Sequence, residues 1–211
     1  EVYLGTTFFD DSARGEMREL QERLRAAYPE TQRMQLRLEE NPADLLPPDA
    51  IRLRFHSVGG YGTIATGKLL TDILAEMLQM RSKAAPKYGS EKSGAPTNYY
   101  ITLSPEPVLI TNAALEDCEV VISPDHMVFM HDNPLRGLVR GGTFIVQSNL
   151  EPKVFWASLP RRARDIIREK QINLFILDAF KVAEDRAPNP DLRTRMMGVA
   201  FIGAVATKVD R

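Results

Sequence analysis

Apolar and polar positions along this chain follow two periods, and the alternation between them sketches a fold. IRLRFHSV at 51–58 interleaves Ile, Leu and Phe with Arg, Arg and His, a period of two that predicts a strand. TIATGKLLTDILAEMLQM at 63–80 instead places apolar residues at three- and four-residue spacing, as a helix covering a sheet does. TNYYITLS, rich in aromatic and β-branched residues and followed by Pro105 and Pro107, reads as a strand. Residues 81–96, with their Lys, Gly, Ser and Pro, read as the loop leading to it. CEVVISP, GGTFIVQS and INLFILDA are three further short apolar runs, with helices expected between them at 125–139 and 154–170. The closing run TRMMGVAFIGAVATKV predicts a buried helix whose small residues permit close packing on the sheet. Strands alternating with helices favour a three-layer α/β/α domain around a mostly parallel sheet.

The segment before this pattern has a different character. VYLGTTFF is an apolar, β-rich run, and Asp10, Asp11 and Ser12 offer N-cap chemistry for a charged helix, ARGEMRELQERLRAAY, ended by Pro29. EENPADLLPPD at 39–49 combines acids with three prolines, which disfavour regular structure. The expected organisation is therefore a short strand-helix segment and Pro-rich linker at 1–49, the tail of a preceding domain, followed by the α/β domain at 50–211. Glu1 rather than Met stands first, which suggests a piece of a longer polypeptide.

Composition narrows the function. The 211 residues are 44% hydrophobic and 26% charged, with a formal net charge of −1, so no global field draws the protein onto nucleic acid or an anionic membrane. No apolar run reaches the roughly 18 residues of a membrane span, and the start lacks a basic region followed by an apolar stretch. A cytoplasmic setting is expected. The single cysteine, Cys118, excludes an internal disulfide and cannot by itself hold an iron–sulfur cluster or a Cys-rich zinc site.

The candidate chemistry lies in HSVGGYGTIATGK at 56–68. It contains Gly60-x-Gly62-x-x-Ala65, near a dinucleotide fingerprint, and Gly62-x-x-x-x-Gly67-Lys68, a P-loop in which Leu69 replaces the Ser or Thr that would hold Mg²⁺. A glycine turn between strand and helix presents bare N–H groups at a positive helix terminus, where phosphate is stabilised. A Rossmann site also wants an acidic residue at the end of the next strand, about 20 residues on, and the sequence there, RSKAAPKYGSEK, has no preceding strand in this reading. The plain alternative is a turn whose glycines only allow a tight reversal.

HSVGGYGTIATGKLL, then KYGSEKSGAPTNYYITLSPEPVLI, then LEDCEVVISPDHMVFMHDNPLRGLVRGGTFIVQSN together resemble the gamma subunit, or domain III, of 2-oxoacid:ferredoxin oxidoreductases of the pyruvate:ferredoxin oxidoreductase type. The most specific feature is the order and spacing of the Gly-Gly-x-Gly turn and the Gly-x-Glu-Lys-Ser-Gly loop, and the likeness extends over about residues 51–211. The resemblance implies a component that closes over the active site and helps receive coenzyme A as substrate. Thiamine diphosphate, Mg²⁺ and iron–sulfur clusters would belong to other domains or subunits, and ferredoxin or flavodoxin would be the partner of the whole complex. It implies phosphate contacts from Gly59, Gly60, Gly62, Thr63, Lys68, Lys92 and Ser93, with no catalytic group and no metal ligand on this chain. Val58 and Tyr61 depart from a pattern in which a polar residue precedes the Gly-Gly pair and Gln lies within it. VYLGTTFFDDSAR likewise resembles the end of a preceding thiamine-pyrimidine domain.

Other residues read more plainly. Lys68 is either a phosphate contact or a surface lysine with its stem along apolar neighbours. Glu91 would oppose an anion and more simply orders its loop. His56 reads as a hydrogen-bonded core histidine and Cys118 as a small core residue. His126 and His131 are spaced unsuitably for a shared helix face. Arg161, Arg162 and Arg164 read as a solvated helix face or a docking surface. Two other functions fit the same sequence: a stand-alone nucleotide-binding module, and a structural assembly domain without catalysis.

Overall fold

The alternation in IRLRFHSV becomes an inner strand of a six-stranded sheet. The computed structural model describes residues 11–29, 46–88, 96–109, 115–189 and 192–207. In chain order these form α1 (Asp11–Ala27), β1 (Ile51–Val58), α2 (Thr63–Met77), β2 (Arg81–Tyr88), β3 (Pro96–Ser104), β4 (Cys118–Ser123), α3 (Val128–His131), β5 (Leu138–Gln147), α4 (Pro152–Ser158), α5 (Arg161–Glu169), β6 (Asn173–Leu177), α6 (Ala179–Arg186) and α7 (Arg193–Ala206). The chain divides into two units, Glu1–Asp44 and Leu45–Arg211. The first contributes α1, in the charged segment where N-cap chemistry predicts a helix. The apolar run VYLGTTFF and residues 39–45 of the expected linker lie outside the described residues.

The sheet order is β2-β3-β1-β4-β5-β6. β4, β5 and β6 continue parallel from β1, whereas β3 runs antiparallel to both β1 and β2. Period-two burial divides β1 between the two faces. Leu53 and Phe55 join a core with Leu70 and Leu74 of α2, Ala179 and Ala183 of α6, and Met197, Phe201 and Val205 of α7. On the other face, Tyr100, Val121, Phe144 and Val146 pack with Val128 of α3, Phe155 of α4, and Ala163 and Ile167 of α5. These are the expected three layers, helices on both faces of one sheet. Each large side chain fully removed from water, such as Phe55, Phe144 or Phe201, contributes about 1.5–3 kcal/mol of transfer free energy.

The structure departs from the expectations in four places. Residues 81–88 form β2 rather than a loop, and Pro86 is accommodated because an edge strand leaves alternate N–H groups unpaired. The helix expected at 125–139 is a single turn, α3, because Pro134 and the positive-φ Gly137 interrupt it before β5 begins at Leu138. The helix expected at 154–170 is divided by Leu159 and Pro160, both extended, into α4 and α5. α6 has no counterpart in the sequence reading and is capped by Asp178, whose carboxylate accepts the Lys181 N–H. On α5, Arg161 and Arg162 are exposed and Arg168 lies 5.1 Å from the Trp156 ring centroid, as a solvated face with one cation–π contact.

Gly67 and Gly198 set how closely α2 can be approached. A Cβ on Gly67 would lie 2.3 Å from Tyr99 Cδ1 on β3, and one on Gly198 of α7 would lie 2.4 Å from Thr66 Oγ1. The small residues of α7 therefore serve a helix–helix contact with α2. Gly203, by contrast, is exposed on α7 with nothing near the position of a Cβ. Gly67→Ala should cost about 1–3 kcal/mol through overpacking, whereas Gly203→Ala should gain up to about 1 kcal/mol of helix propensity. Urea denaturation of the two variants beside the parent measures both signs.

Candidate functional site

At the carboxyl end of β1 the chain reverses through Gly59 to Gly62 and enters α2. Gly60 has φ 110° and Gly62 has φ 68°, the left-handed region where a side chain is strained. Gly62 is the N-cap of α2 and supplies no side-chain acceptor, and the first helical bond is Thr66 N–H to Gly62 C=O at 2.9 Å. The amides of the first turn therefore have no intrahelical acceptor and carry the positive end of the helix dipole. A Cβ at Gly60 would meet nothing within 4 Å, so the space before the turn is open.

The structure distributes the expected ligands unevenly. Thr63 is buried with its hydroxyl 2.5 Å from Ser57 Oγ, which fastens the start of α2 to β1 and leaves the Thr63 backbone N–H as its free donor. Lys68 is exposed on α2, while Gly67 beside it is explained by the Tyr99 ring rather than by a ligand. Lys92 and Ser93 lie outside the described residues.

Next to the turn the sheet changes direction. From β1 the chain leaves through α2 toward β2 and β3, and from β4 through α3 toward β5 on the other side and the other face. Such a divergence opens a crevice at the carboxyl ends of the two strands. Asp125, following β4, is fully buried there. It accepts hydrogen bonds from the Met127 N–H at 2.8 Å, from His131 Nδ1 at 2.7 Å and from the Tyr61 hydroxyl. Burial, and then the Asp125 charge, push the Tyr61 phenol above its ordinary value. Tyr61, a departure from the family's pattern, thus pins the glycine turn to the loop after β4. His131 is held by Asp125, and His126 is exposed. Among the described residues no three His, Cys, Asp or Glu side chains gather as a metal site.

Beneath the opposite face of β1 lies a cavity of about 820 Å³. Arg54 and His56 of β1 form part of its wall with Asn98 and Tyr100 of β3, and Lys87, Glu116, Asp132 and Arg136 contribute charged side chains. Arg54 is only 5% exposed; its Nη2 donates to the carbonyls of Pro134 at 2.7 Å and Arg136 at 2.8 Å, while its buried Nε has no partner. His56 is 4% exposed and hydrogen-bonded through Nδ1 to Asn98 Oδ1 at 2.6 Å, as a core histidine should be. Its Nε2 has no hydrogen-bond partner, and Asp132 Oδ2 stands 3.6 Å away. Burial, with the Arg54 charge, holds the imidazole below its ordinary value despite Asn98, Asp132 and Asp125. None of the residues expected to contact phosphate lines this cavity. The signal that could have revealed it is the placement of Arg54 and His56 at alternate positions of a strand central enough to be covered on both faces.

The family profile described as pyruvate ferredoxin/flavodoxin oxidoreductase matches residues 52–210. A pyruvate-flavodoxin oxidoreductase of Trichormus variabilis is 26% identical over 156 residues, 74% of this chain but 13% of the relative, so the chain spans a small part of that protein. The gamma subunit common to the pyruvate and ketoisovalerate oxidoreductases of Thermococcus litoralis is 24% identical over 76% of this chain and 81% of its own length. In three dimensions, the gamma subunit of a keto/oxoacid ferredoxin oxidoreductase from Geobacter sulfurreducens superposes with a TM-score of 0.53 at 16% identity, covering 76% of each chain.

The depressed His56 sets a pH dependence of folding. The unfolded chain takes up a proton near the ordinary value of 6.5 and the folded chain does so only at lower pH, so the neutral imidazole's contribution is complete above 6.5. That contribution is lost as pH falls from 6.5 through the folded value. His56→Gln should flatten this part of the stability profile, measured by urea titrations between pH 7.5 and 5.

Proposed function

The chain belongs to the pyruvate ferredoxin/flavodoxin oxidoreductase family, and from that premise we propose that it is the gamma component of a thiamine-diphosphate-dependent 2-oxoacid:ferredoxin oxidoreductase. In this reading residues 50–211 are the gamma-type domain and residues 1–49 the tail of a preceding domain with its linker. The component works in the cytoplasm with other domains or subunits of the enzyme and, through them, with ferredoxin or flavodoxin. Its task is to bind coenzyme A and close the active site during oxidative decarboxylation of a 2-oxoacid to an acyl-CoA.

The observation that carries this reading is the start of α2: a left-handed glycine cap without a capping side chain, open space before it, and first-turn amides without intrahelical acceptors at the carboxyl end of β1. Coenzyme A brings a diphosphate and a 3′-phosphate, and such anions are stabilised by free N–H groups at a helix start. Three donors hold the Asp125 carboxylate in the loop after β4. Lys68 and Lys92 would complete the phosphate contacts, with Gly59 and Ser93 beside them.

The electron-transfer groups do not fit this chain. Cys118, the single cysteine, is buried in the core, and burial pushes its thiol up to about 11, far from the thiolate a cluster requires. In this reading the iron–sulfur clusters, and the thiamine with its Mg²⁺, belong to other domains or subunits. No helix among the described residues is long and apolar enough to cross a membrane.

Calorimetry with coenzyme A tests the proposal. Gly62→Val should abolish binding, since a β-branched residue resists φ 68° and blocks approach to the amides. Lys68→Ala and Lys92→Ala should each weaken it about 10- to 100-fold if each lysine supplies one charge-assisted hydrogen bond of roughly 1.5–3 kcal/mol. In the assembled enzyme the same lysine variants should raise the apparent KM for coenzyme A and leave formation of the thiamine-bound intermediate intact. Unchanged affinity in Gly62→Val removes the turn from the site.

A further inference from the structure

The cavity on the face of β1 opposite α2 shares no residue with the glycine turn, and its chemistry is distinct. Its floor holds a guanidinium with no carboxylate within ion-pair distance among the described residues. Arg54 is 5% exposed, and its bonds go to two carbonyls and the Tyr100 hydroxyl, all of them neutral. Buried charges in proteins are normally paired, since an uncompensated one loses its hydration without a matching gain. Beside it His56 is held rigidly by Asn98 with Nε2 unsatisfied. The Arg54 Nε–H donor and the His56 Nε2, an acceptor while Nδ1 carries the proton, are both left without a partner at one buried spot under a concave space of about 820 Å³.

The rim agrees in sign. Lys87 and Arg136 are exposed at the mouth, and with Arg54 they outnumber the exposed carboxylates of Glu116 and Asp132. Asp132 approaches His56 Nε2 at 3.6 Å, too long for a hydrogen bond. An oxyanion entering between them would displace it toward solvent and neutralise Arg54.

We propose that this cavity is an anion-binding subsite, in which Arg54 and Arg136 receive the carboxylate or phosphate group of a small ligand beside the His56 ring, at a place separate from the glycine turn. The same proposal makes the unpaired Arg54 a preorganised ligand group rather than a packing defect. It stands or falls independently of coenzyme A binding at α2.

The test follows imidazole and backbone NMR signals of the 211-residue chain, in which three histidines give few enough ring resonances to resolve His56. Inorganic phosphate and acetate are titrated separately, with chloride at equal ionic strength as control. Saturable movement of the His56 ring by phosphate, by acetate or by both, and not by chloride, supports the subsite and tells which oxyanion it takes. The double variant Lys87→Gln/Arg136→Gln alters exposed side chains and keeps the Arg136 carbonyl that holds Arg54. It should weaken that response about 10-fold. Arg54→Gln should remove the response if the variant folds, and the rim variant decides the matter if it does not. The proposal is overturned by a response that chloride reproduces, by unchanged affinity in the double variant, by movement confined to the Gly60 and Gly62 amides, or by no saturation with either anion.

Discussion

Everything in the α/β unit is organised by the position of β1 between an antiparallel and a parallel neighbour. On one side it pairs along its full length with β3, from Ile51 with Leu103 to Val58 with Pro96. On the other it meets β4 over a shorter stretch, from Leu53 with Val120 to Phe55 with Ile122. Glu119 extends that seam beyond the ladder, since its carboxylate accepts both the backbone N–H of Arg52 at 2.6 Å and its guanidinium. The connections leave the two parallel strands in opposite directions because β1 continues to β2 and β3 on one side and β4 to β5 on the other, and the crevice follows from that geometry.

The alternation of IRLRFHSV then gives the two sides of this seam opposite chemistry. Leu53 and Phe55 fill the space under α2, where Gly67 lets the helix settle onto Tyr99. Arg54 and His56 face a layer that no long helix covers, and the loop around Pro134 and Arg136 satisfies the guanidinium with carbonyls. Around β1 one face is therefore apolar and closely packed, while the other is polar and partly open. A helix start that must present unobstructed amides is well placed on the packed side, because Thr63 bonds Ser57 of β1 and Gly67 lies against Tyr99 of β3.

The sequence displays the parts of this arrangement that depend on local pattern. β1, α2, β3 and the glycine turn are all legible, because period, β-branching and glycine spacing act within a few residues. β2 is not, because RSKAAPKY owes its extended form to the backbone of β3 and carries no β-branched residue of its own. The helix expected at 125–139 fails for a different, local reason: Pro134 and the left-handed Gly137 stop it after one turn, while Asp125 bonds His131 and Met127 at its start. Of the candidate site, the turn is visible and the group of charged and polar side chains behind it is not. Arg54, Asn98, Glu116 and Arg136 come from distant stretches, and only the sheet register brings them together.

β1 also has a place in time. During synthesis it emerges before either strand it will bond to, and only α2 follows at once to cover Leu53 and Phe55. Until the chain has been made as far as β3, the backbone of β1 offers unpaired N–H and C=O groups along an extended apolar segment, the kind of edge that recruits other nascent chains. Arg52, Arg54 and His56, spaced along its uncovered side, give that edge charge and hydration during the interval. The side chains that make the polar face of the finished sheet are thus the ones that interrupt the apolar run of an unpaired β1.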